Sequence, residues 1–164
     1  MTLDRCPQCG RPLDAHDRDV RFRLPEPVLQ TPNQEQHPGA WLSDQDPNRA
    51  VMMQVPAVGA FVRCLIPVAL TGGYTVTFGV WVGVHPDDLK GAFEVWWEPA
   101  YRDLVLDGRL ANELPVWGLL AVPVQARVRD ENEIPYVHRS SDSVMTQVLT
   151  EQWNHDCVLP ALPE

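Results

Sequence analysis

The chain has 164 residues, of which 45% are apolar and 21% are charged, with a formal net charge of -9. This length suits one domain, with enough apolar residues for a core that needs neither metal nor disulfides. Nucleic acids and anionic membranes bind through clustered Lys and Arg, and the chain has no strongly basic window. We therefore expect neither of them as a partner.

The compartment is predicted from the N-terminus and the cysteines. The first residues, MTLDRCPQCG, contain no apolar h-region of a signal peptide. The longest apolar run, at 61–70, carries an arginine and is far shorter than the ~20 residues that span a bilayer. We expect a cytoplasmic protein, in which four cysteines are more often thiols or metal ligands than disulfides.

The first 48 residues have little periodicity. Residues 1–19 read as a turn-rich segment around CPQCG, and residues 20–24, VRFRL, alternate apolar and charged side chains as a short strand does. Residues 25–48 are rich in Pro, Gln and Asn, which predicts a long surface loop with one helical turn near 41–43. We expect this loop to be the most protease-sensitive internal segment and to be protected by a partner.

Runs rich in β-branched and aromatic residues predict the central strands, at 50–55, 59–70 and 74–84. The last two are joined by LTGGY, whose Gly-Gly pair is typical of a hairpin turn. A further strand is predicted at 118–129, where Pro123 indicates an edge or a bulge.

Two segments have helical periodicity. Residues 85–97 begin with Pro86 and two aspartates suited to a helix N-terminus, with His85 as a cap or surface residue. The apolar face of this helix is predicted to contain Leu89, Ala92, Phe93, Trp96 and Trp97. Residues 140–153 predict a second helix, capped by Ser140 or Ser141.

This order of elements predicts the fold class. A run of strands, followed by helix, strand and helix, favours an α+β domain with a mainly antiparallel sheet and two helices packed on one face. We expect a single domain over 1–164, with an N-terminal zinc-knuckle-like turn and the core at 50–153.

The segment CPQCG is the stretch most suited to chemistry. Cys6 and Cys9 have the spacing that grips one zinc ion when the chain turns tightly, and Gly10 permits such a turn. There is no second CxxC, so the remaining ligands would come from His16, Cys64, His155 or Cys157.

We expect this zinc to be structural, because Cys-rich sites are usually closed and no HExxH motif is present. One alternative is a pair of free thiols. Another is a redox dithiol, which needs a preceding strand and a following helix that residues 1–15 do not provide. Cys64, inside a predicted strand, is more typical of a buried core thiol.

The stretches FVRCLIPV, FGVWVGVHPDDLKGAFEVW and LANELP, together with the N-terminal CxxCG, resemble a bacterial domain-of-unknown-function family numbered 2199. The similarity extends over nearly the whole chain, and its middle part is the specific one. The resemblance implies a small bacterial α+β protein and implies no activity. Members of that family often have a histidine three residues after the CxxCG glycine, where this chain has Leu13.

The six tryptophans predict mainly core packing. Trp81, Trp96, Trp97 and Trp117 could alternatively line an apolar pocket. Adjacent residues on a helix point about 100° apart, so Trp96 and Trp97 cannot both be buried on one face. An exposed tryptophan beside the 25–48 loop would make an interaction surface, for which the candidates are Trp41, Trp96 and Trp97.

The sequence leaves two functional hypotheses. The first is a non-enzymatic, cytoplasmic protein-interaction module with a structural zinc knuckle, including an immunity or antitoxin-like form in which an acidic protein blocks a basic partner. The second is an enzyme or small-molecule binder with a Trp-lined pocket and NHDC, 154–157, at its mouth. Convergent titratable groups in a pocket would favour the second, and a flat acidic patch would favour the first.

Overall fold

The computed structural model of the chain describes residues 18–22, 24–29, 41–43, 50–56, 58–71, 75–114, 117–154 and 158. Three α-helices lie in these ranges, α1 (Glu26–Leu29), α2 (Pro86–Val95) and α3 (Ser143–Thr150), and a 3-10 helix covers Pro99–Asp103. The strands are β1 (Arg18–Arg21), β2 (Trp41–Leu42), β3 (Met52–Val55), β4 (Gly59–Ala69), β5 (Thr75–Val84), β6 (Val105–Leu110), β7 (Pro123–Arg127) and β8 (Tyr136–Arg139).

A long hairpin, made of β4 and β5, is the centre of the sheet. The two strands pair antiparallel from Ala60–Val84 to Ala69–Thr75. Their β-branched and aromatic residues fit a pleated surface that is covered on both sides. The three central strands predicted from the sequence correspond to β3, β4 and β5.

The sheet closes on itself through β6, β7 and β8, of which the sequence predicts only β7, within the strand expected at 118–129. β6 pairs with β5, β7 with β6 and β8 with β7, all antiparallel, and β8 returns to pair parallel with β4 at Leu65–Tyr136. β4 to β8 therefore form a mixed five-stranded barrel within one α+β domain. β1 lies parallel to β5, and β3 and β2 extend the sheet beyond β4. Antiparallel pairing dominates, as predicted, whereas the closure of the sheet into a barrel was not predicted.

The close approach of β5 and β6 requires a glycine. A Cβ atom at Gly108 would lie 2.2 Å from the carbonyl oxygen of Gly83 and 2.8 Å from Cγ1 of Val82. Backbone cannot retreat from such a contact without separating the two strands. Gly108 therefore permits the close approach on which this side of the barrel depends.

The barrel interior and the two longer helices share one hydrophobic core. α2 contributes Leu89 and Ala92, and α3 contributes Met145 and Val148. Cys64 is a buried, free thiol in this core, as predicted, and burial raises its pKa to about 12. The thiol is therefore protonated at neutral pH and acts as a small apolar side chain.

Arg63 is buried on the opposite face of the central hairpin. Its Nε donates to the carbonyl oxygen of Ala50 at 2.9 Å, and its Nη1 donates to those of Phe22 at 2.6 Å and Gly79 at 3.2 Å. The guanidinium lies 4.3 Å from the ring centroid of Trp81. Arg63 thus connects β4 with β5 and with the segments that follow β1 and precede β3.

The ends of α2 agree with the sequence prediction, but part of its apolar face does not. Nδ1 of His85 accepts a hydrogen bond from the backbone N–H of Asp87 at 3.1 Å, which caps the helix. Trp96 is 7% exposed, whereas Trp97 is 86% and Phe93 53% exposed. The prediction that Phe93 and Trp97 belong to the buried face is therefore wrong, because the helix packs only through its Leu89–Ala92–Trp96 side.

The cap of the second predicted helix is also different. Asp142 caps α3, with its Oδ1 accepting from the N–H of Met145 at 2.9 Å, so the prediction of Ser140 or Ser141 is wrong. Ser140 instead donates its hydroxyl to the carbonyl oxygen of Pro123. Pro123 is the first residue of β7, and the register shifts between Gln125 and Ala126, which confirms the bulge rather than the edge.

The range 25–48 contains more regular structure than the sequence predicts. α1 lies within it, Val28 is buried, and the N–H of Glu26 donates to the carbonyl oxygen of Ala111 at 2.7 Å. The helical turn predicted near 41–43 is a strand instead, because Trp41 and Leu42 pair with β3. No helix in the described ranges has both the length and the apolar character needed to cross a bilayer.

Candidate binding groove

A groove of about 930 Å³ lies where the C-terminal end of α2, the 3-10 helix, β2 and β3 meet the loop between β7 and β8. All three tryptophans predicted as interaction residues, Trp41, Trp96 and Trp97, line it. Phe93 and Tyr101 add two further aromatic rings. The structure therefore brings the predicted interaction residues together, although they come from elements far apart in the sequence.

Trp96 and Tyr101 form the buried aromatic part of this groove. Trp96 is at the C-terminal cap of α2 and Tyr101 lies in the 3-10 helix that follows it. Their ring centroids are 4.9 Å apart and the rings are tilted by 53°. Pro99 begins the 3-10 helix, since its fixed φ suits a first helical position, and so brings Tyr101 back against Trp96.

The Tyr101 hydroxyl holds the loop between β7 and β8 against the groove. It donates to the carbonyl oxygen of Glu133 at 2.5 Å, and burial raises the pKa of Tyr101. The loop is also closed locally, because Oδ1 of Asp130 accepts from the N–H of Asn132 at 2.9 Å. The side chain of Glu133 is also bonded, because its Oε2 accepts from the hydroxyl of Tyr136 at 2.7 Å. The Tyr101 bond therefore sets the position of this acidic loop against the groove, and the Tyr136 bond is local to the loop and the start of β8.

The opposite side of the groove is held by Ser43. Its Oγ accepts from the backbone N–H groups of Val51 at 2.9 Å and Met52 at 3.1 Å. Its own N–H donates to the carbonyl oxygen of Met52 at 3.0 Å, which continues the pairing of β2 with β3. These bonds place Trp41 beside α2, where its ring meets that of Phe93 edge-on with centroids 5.7 Å apart.

The rim is aromatic and acidic. Trp97, Phe93 and Trp41 are 86%, 53% and 38% exposed. Glu98, Glu131 and Glu133 line the same groove, and among the described residues that line it there is no lysine, arginine or histidine. A polar rim around aromatic side chains is the usual composition of a protein-binding surface.

Two hydroxyl groups lie in the described lining, those of Ser43 and Tyr101. The Ser43 hydroxyl already accepts hydrogen bonds from two backbone N–H groups. The described lining has no cysteine or histidine that could form a nucleophile–base pair. The Tyr101 hydroxyl is engaged with Glu133. Both hydroxyl groups are therefore already hydrogen-bonded.

The other tryptophans named in the sequence analysis do not reach the groove. Trp81 is fully buried beneath Arg63. Trp117 packs edge-on against Phe78 and against Trp153, with centroids 6.3 Å and 5.2 Å apart. Core packing is confirmed for Trp81 and Trp96, whereas Trp97 lies on the surface.

The predicted zinc ligands Cys6, Cys9, His16 and Cys157 lie outside the described residues, as does His155. Within the described ranges, no group of three His, Cys, Asp or Glu side chains is placed to hold a metal ion. The zinc knuckle therefore remains a prediction.

The family with which residues 5–152 align is described as "Uncharacterized protein conserved in bacteria (DUF2199)". The chain belongs to this family. The resemblance inferred from FVRCLIPV and the neighbouring motifs is therefore confirmed, over a range that includes both the CxxCG and the groove. Neither a curated protein nor a solved structure matches the chain. The description of the family names no activity.

Sequence reasoning missed the acidic part of the groove. Glu98 is separated from Glu131 and Glu133 by more than thirty residues of chain that include β6 and β7. The run RDENEIP, 129–135, was a usable signal, because acidic residues concentrated in a turn next to a strand form a surface cluster. Its position beside Trp96 depends on the Tyr101 hydrogen bond, which has no local signature.

Proposed function

We propose that this protein is a non-enzymatic protein-interaction module and that the aromatic groove is its binding surface. The observation that carries the proposal is that Trp41, Trp96 and Trp97 line one groove, with Trp97 86% exposed. Protein interfaces concentrate their binding energy in a few Trp, Tyr and Arg residues at the centre of a contact.

The groove also has the rigidity that binding favours. Trp96 and Tyr101 are buried and in contact, and Tyr101 is bonded to the acidic loop. A partner that fits these fixed rings loses less entropy than one that must order a loose surface, because the binding side already has one arrangement. The outer rings, of Trp97 and Phe93, are the exposed ones that a partner can reach.

The test uses the cytoplasmic extract of the native host, since the sequence predicts a cytoplasmic protein. A photo-crosslinking amino acid at position 97 should capture a protein that is then identified, expressed and titrated against the purified chain. Trp97→Ala should weaken this binding at least about tenfold, as a central tryptophan does. Leu120→Ala is the matched control, because Leu120 is 39% exposed and does not line the groove. Equal affinity of the Trp97→Ala and Leu120→Ala variants would contradict the proposal.

The size of the groove supports a second candidate, a small-molecule binder. About 930 Å³ lies within the range of roughly 300 to 1,000 Å³ that small-molecule sites occupy. Native mass spectrometry of protein purified from its host separates the two candidates. A bound metabolite that Trp96→Ala releases and Trp97→Ala retains would favour the small molecule, because such ligands are enclosed by the inner part of a groove.

We further propose a structural zinc at Cys6 and Cys9, supported by the CPxCG spacing alone. Elemental analysis of protein purified without a metal-affinity tag should give about one zinc per chain, and well under half an equivalent would contradict this. Cys6→Ser should release the zinc and leave the barrel folded, because the barrel core is built from other residues. Loss of the near-UV circular dichroism of the variant would show that the knuckle is part of the core.

A further inference from the structure

We propose that the groove binds an arginine-bearing segment of a basic partner protein, with a guanidinium stacked on the exposed rings of Trp97 and Phe93 and paired with the glutamates of the rim. This inference rests on the proposed function and names the chemistry of the partner. It follows from three features of the groove: the sign of its charge, the exposure of its rings and the rigidity of its acidic loop.

The negative charge of the groove favours a cationic ligand. Glu98, Glu131 and Glu133 line it without a described lysine, arginine or histidine among them, and the whole chain carries a net charge of -9. Complementary charge steers a basic partner towards such a surface and disfavours an acidic one. A purely apolar segment would offer no counter-charge to these carboxylates.

The rings of the rim favour arginine among the cations. Trp97 and Phe93 expose 86% and 53% of their surface, so a flat group can approach them. A guanidinium is planar, stacks on aromatic faces and donates two parallel hydrogen bonds to a carboxylate, whereas an ammonium group is a strongly hydrated point charge. Stacking and pairing are therefore available together to an arginine side chain in this groove.

Contacts between a guanidinium and an aromatic ring also occur elsewhere in this chain. The guanidinium of Arg63 lies 4.3 Å from the ring centroid of Trp81, and that of Arg129 lies 4.4 Å from the ring centroid of Tyr136. Both distances are well inside the roughly 6 Å over which a cation is attracted to an aromatic face. In the groove the rings and the carboxylates come from this protein, and the partner supplies the guanidinium.

The acidic loop is held in place before a partner binds. The carbonyl oxygen of Glu133 accepts a hydrogen bond from the Tyr101 hydroxyl, and its carboxylate accepts one from the Tyr136 hydroxyl. Since the loop is fixed at Glu133, Glu131 and Glu133 remain beside the aromatic rings in the absence of a partner. Such preorganisation lowers the entropy that binding has to overcome.

The test titrates the full chain with a tetra-arginine peptide amide and with the corresponding tetra-citrulline peptide, which has nearly the same shape and no charge. Indole N–H signals in the NMR spectrum locate the binding. We expect tetra-arginine to shift the Trp97 indole signal and to bind at least about tenfold more tightly than tetra-citrulline. Trp97→Ala should weaken tetra-arginine binding about three- to tenfold, the range of a cation–aromatic contact.

Charge variants separate the groove from the general negative charge. Glu131→Gln should weaken tetra-arginine binding about two- to fivefold, the range of an exposed ion pair. Glu94→Gln is the matched control, because Glu94 is an exposed glutamate of α2 that does not line the groove. If both variants weaken binding equally, or if Trp97→Ala binds tetra-arginine like the wild type, the peptide binds through net charge alone and the inference is wrong.

The outcome for this inference is separate from that for the proposed function. If tetra-arginine and tetra-citrulline bind equally, recognition of the guanidinium is overturned. The proposed function still stands in that case, provided that the crosslinked partner protein loses affinity for Trp97→Ala. If that partner also binds Trp97→Ala like the wild type, both are overturned.

Discussion

Arg63 with Trp81, and the groove around Trp97, place the same kinds of group in two different environments. Trp81 is fully buried and has a guanidinium 4.3 Å from its ring centroid, and that guanidinium donates to three backbone carbonyl groups. Trp97 is 86% exposed and has three glutamates around the same groove. In the first region the aromatic ring and its cation stabilise the fold, and in the second the ring is left on the surface.

This difference shows which aromatic residues are available for function. A buried charge is costly unless it is paired or hydrogen-bonded, and burial, followed by the charge of Arg21, lowers the pKa of Arg63 to about 9. The three carbonyl groups offset that cost and fix the guanidinium in place. Trp97 is instead 86% exposed, so its substitution should affect binding more than stability.

The largest effect on stability is expected from Arg63→Met. The substitution leaves the carbonyl groups of Ala50, Phe22 and Gly79 without this donor inside the protein. The carbonyl oxygen of Gly79 still accepts from the N–H of Phe22 at 3.0 Å, so the main loss is at Ala50 and Phe22. Unsatisfied buried groups cost about 1–3 kcal/mol each, so the free energy of unfolding should fall by about 2 kcal/mol or more. Urea denaturation followed by circular dichroism measures this loss.

Arg63→Lys is the control for charge. Lysine keeps the positive charge but has no planar fork, so it cannot donate from the positions of Nε and Nη1 at the same time. We expect the free energy of unfolding of Arg63→Lys to lie between those of the wild type and Arg63→Met. A Lys variant as stable as the wild type would show that charge near Trp81 matters and that the three carbonyl bonds do not.

A smaller effect is expected from Tyr101→Phe at the inner side of the groove. The substitution removes the hydroxyl that donates to the carbonyl oxygen of Glu133 and keeps the ring against Trp96. The free energy of unfolding should fall by about 1 kcal/mol, and amide hydrogen exchange in the loop 130–134 should accelerate. Tyr136→Phe removes the bond to the exposed carboxylate of Glu133 and should change stability by less than about 0.5 kcal/mol. Equal losses in the two variants would mean that the Tyr101 bond does not fix the loop.

The smallest effect on stability is expected from Trp97→Ala. Because 86% of Trp97 is exposed, its removal uncovers little and should change the free energy of unfolding by less than about 0.5 kcal/mol. The same denaturation measurement applies. A loss above about 1 kcal/mol would show that Trp97 is covered in solution, and the groove would then not be the open surface described.

Much of the local structure could be predicted from the sequence. Pro86, Asp87 and Asp88 specify the start of α2, because they suit the free N–H groups of a first helical turn. The strands at 50–55, 59–70 and 74–84 were recognisable from β-branched and aromatic runs, and β4 and β5 are joined across the segment with the Gly-Gly signal. The adjacent pair Trp96–Trp97 also predicted correctly that one of the two rings is exposed.

Two of the strands that close the barrel, β6 and β8, could not be predicted from the sequence, for physical reasons. β6, VLDGRL, alternates buried and exposed residues, but Asp107 and Gly108 interrupt its apolar pattern. The glycine is required by the close approach of β5, which no local property of the sequence indicates. β8 has four residues, and its partner β4 is more than sixty residues earlier in the chain.

The sequence by itself determined the family, the α+β class, the central hairpin and the tryptophans worth examining, because these depend on composition and on contacts between near neighbours. Only the tertiary structure decided that the sheet closes, that Arg63 is buried while Phe93 is exposed, and that Trp41 and the acidic loop of Glu131 and Glu133 meet at the end of α2. These outcomes depend on pairings and hydrogen bonds between distant segments. Their geometry is set when the barrel closes, so no short stretch of the chain encodes it.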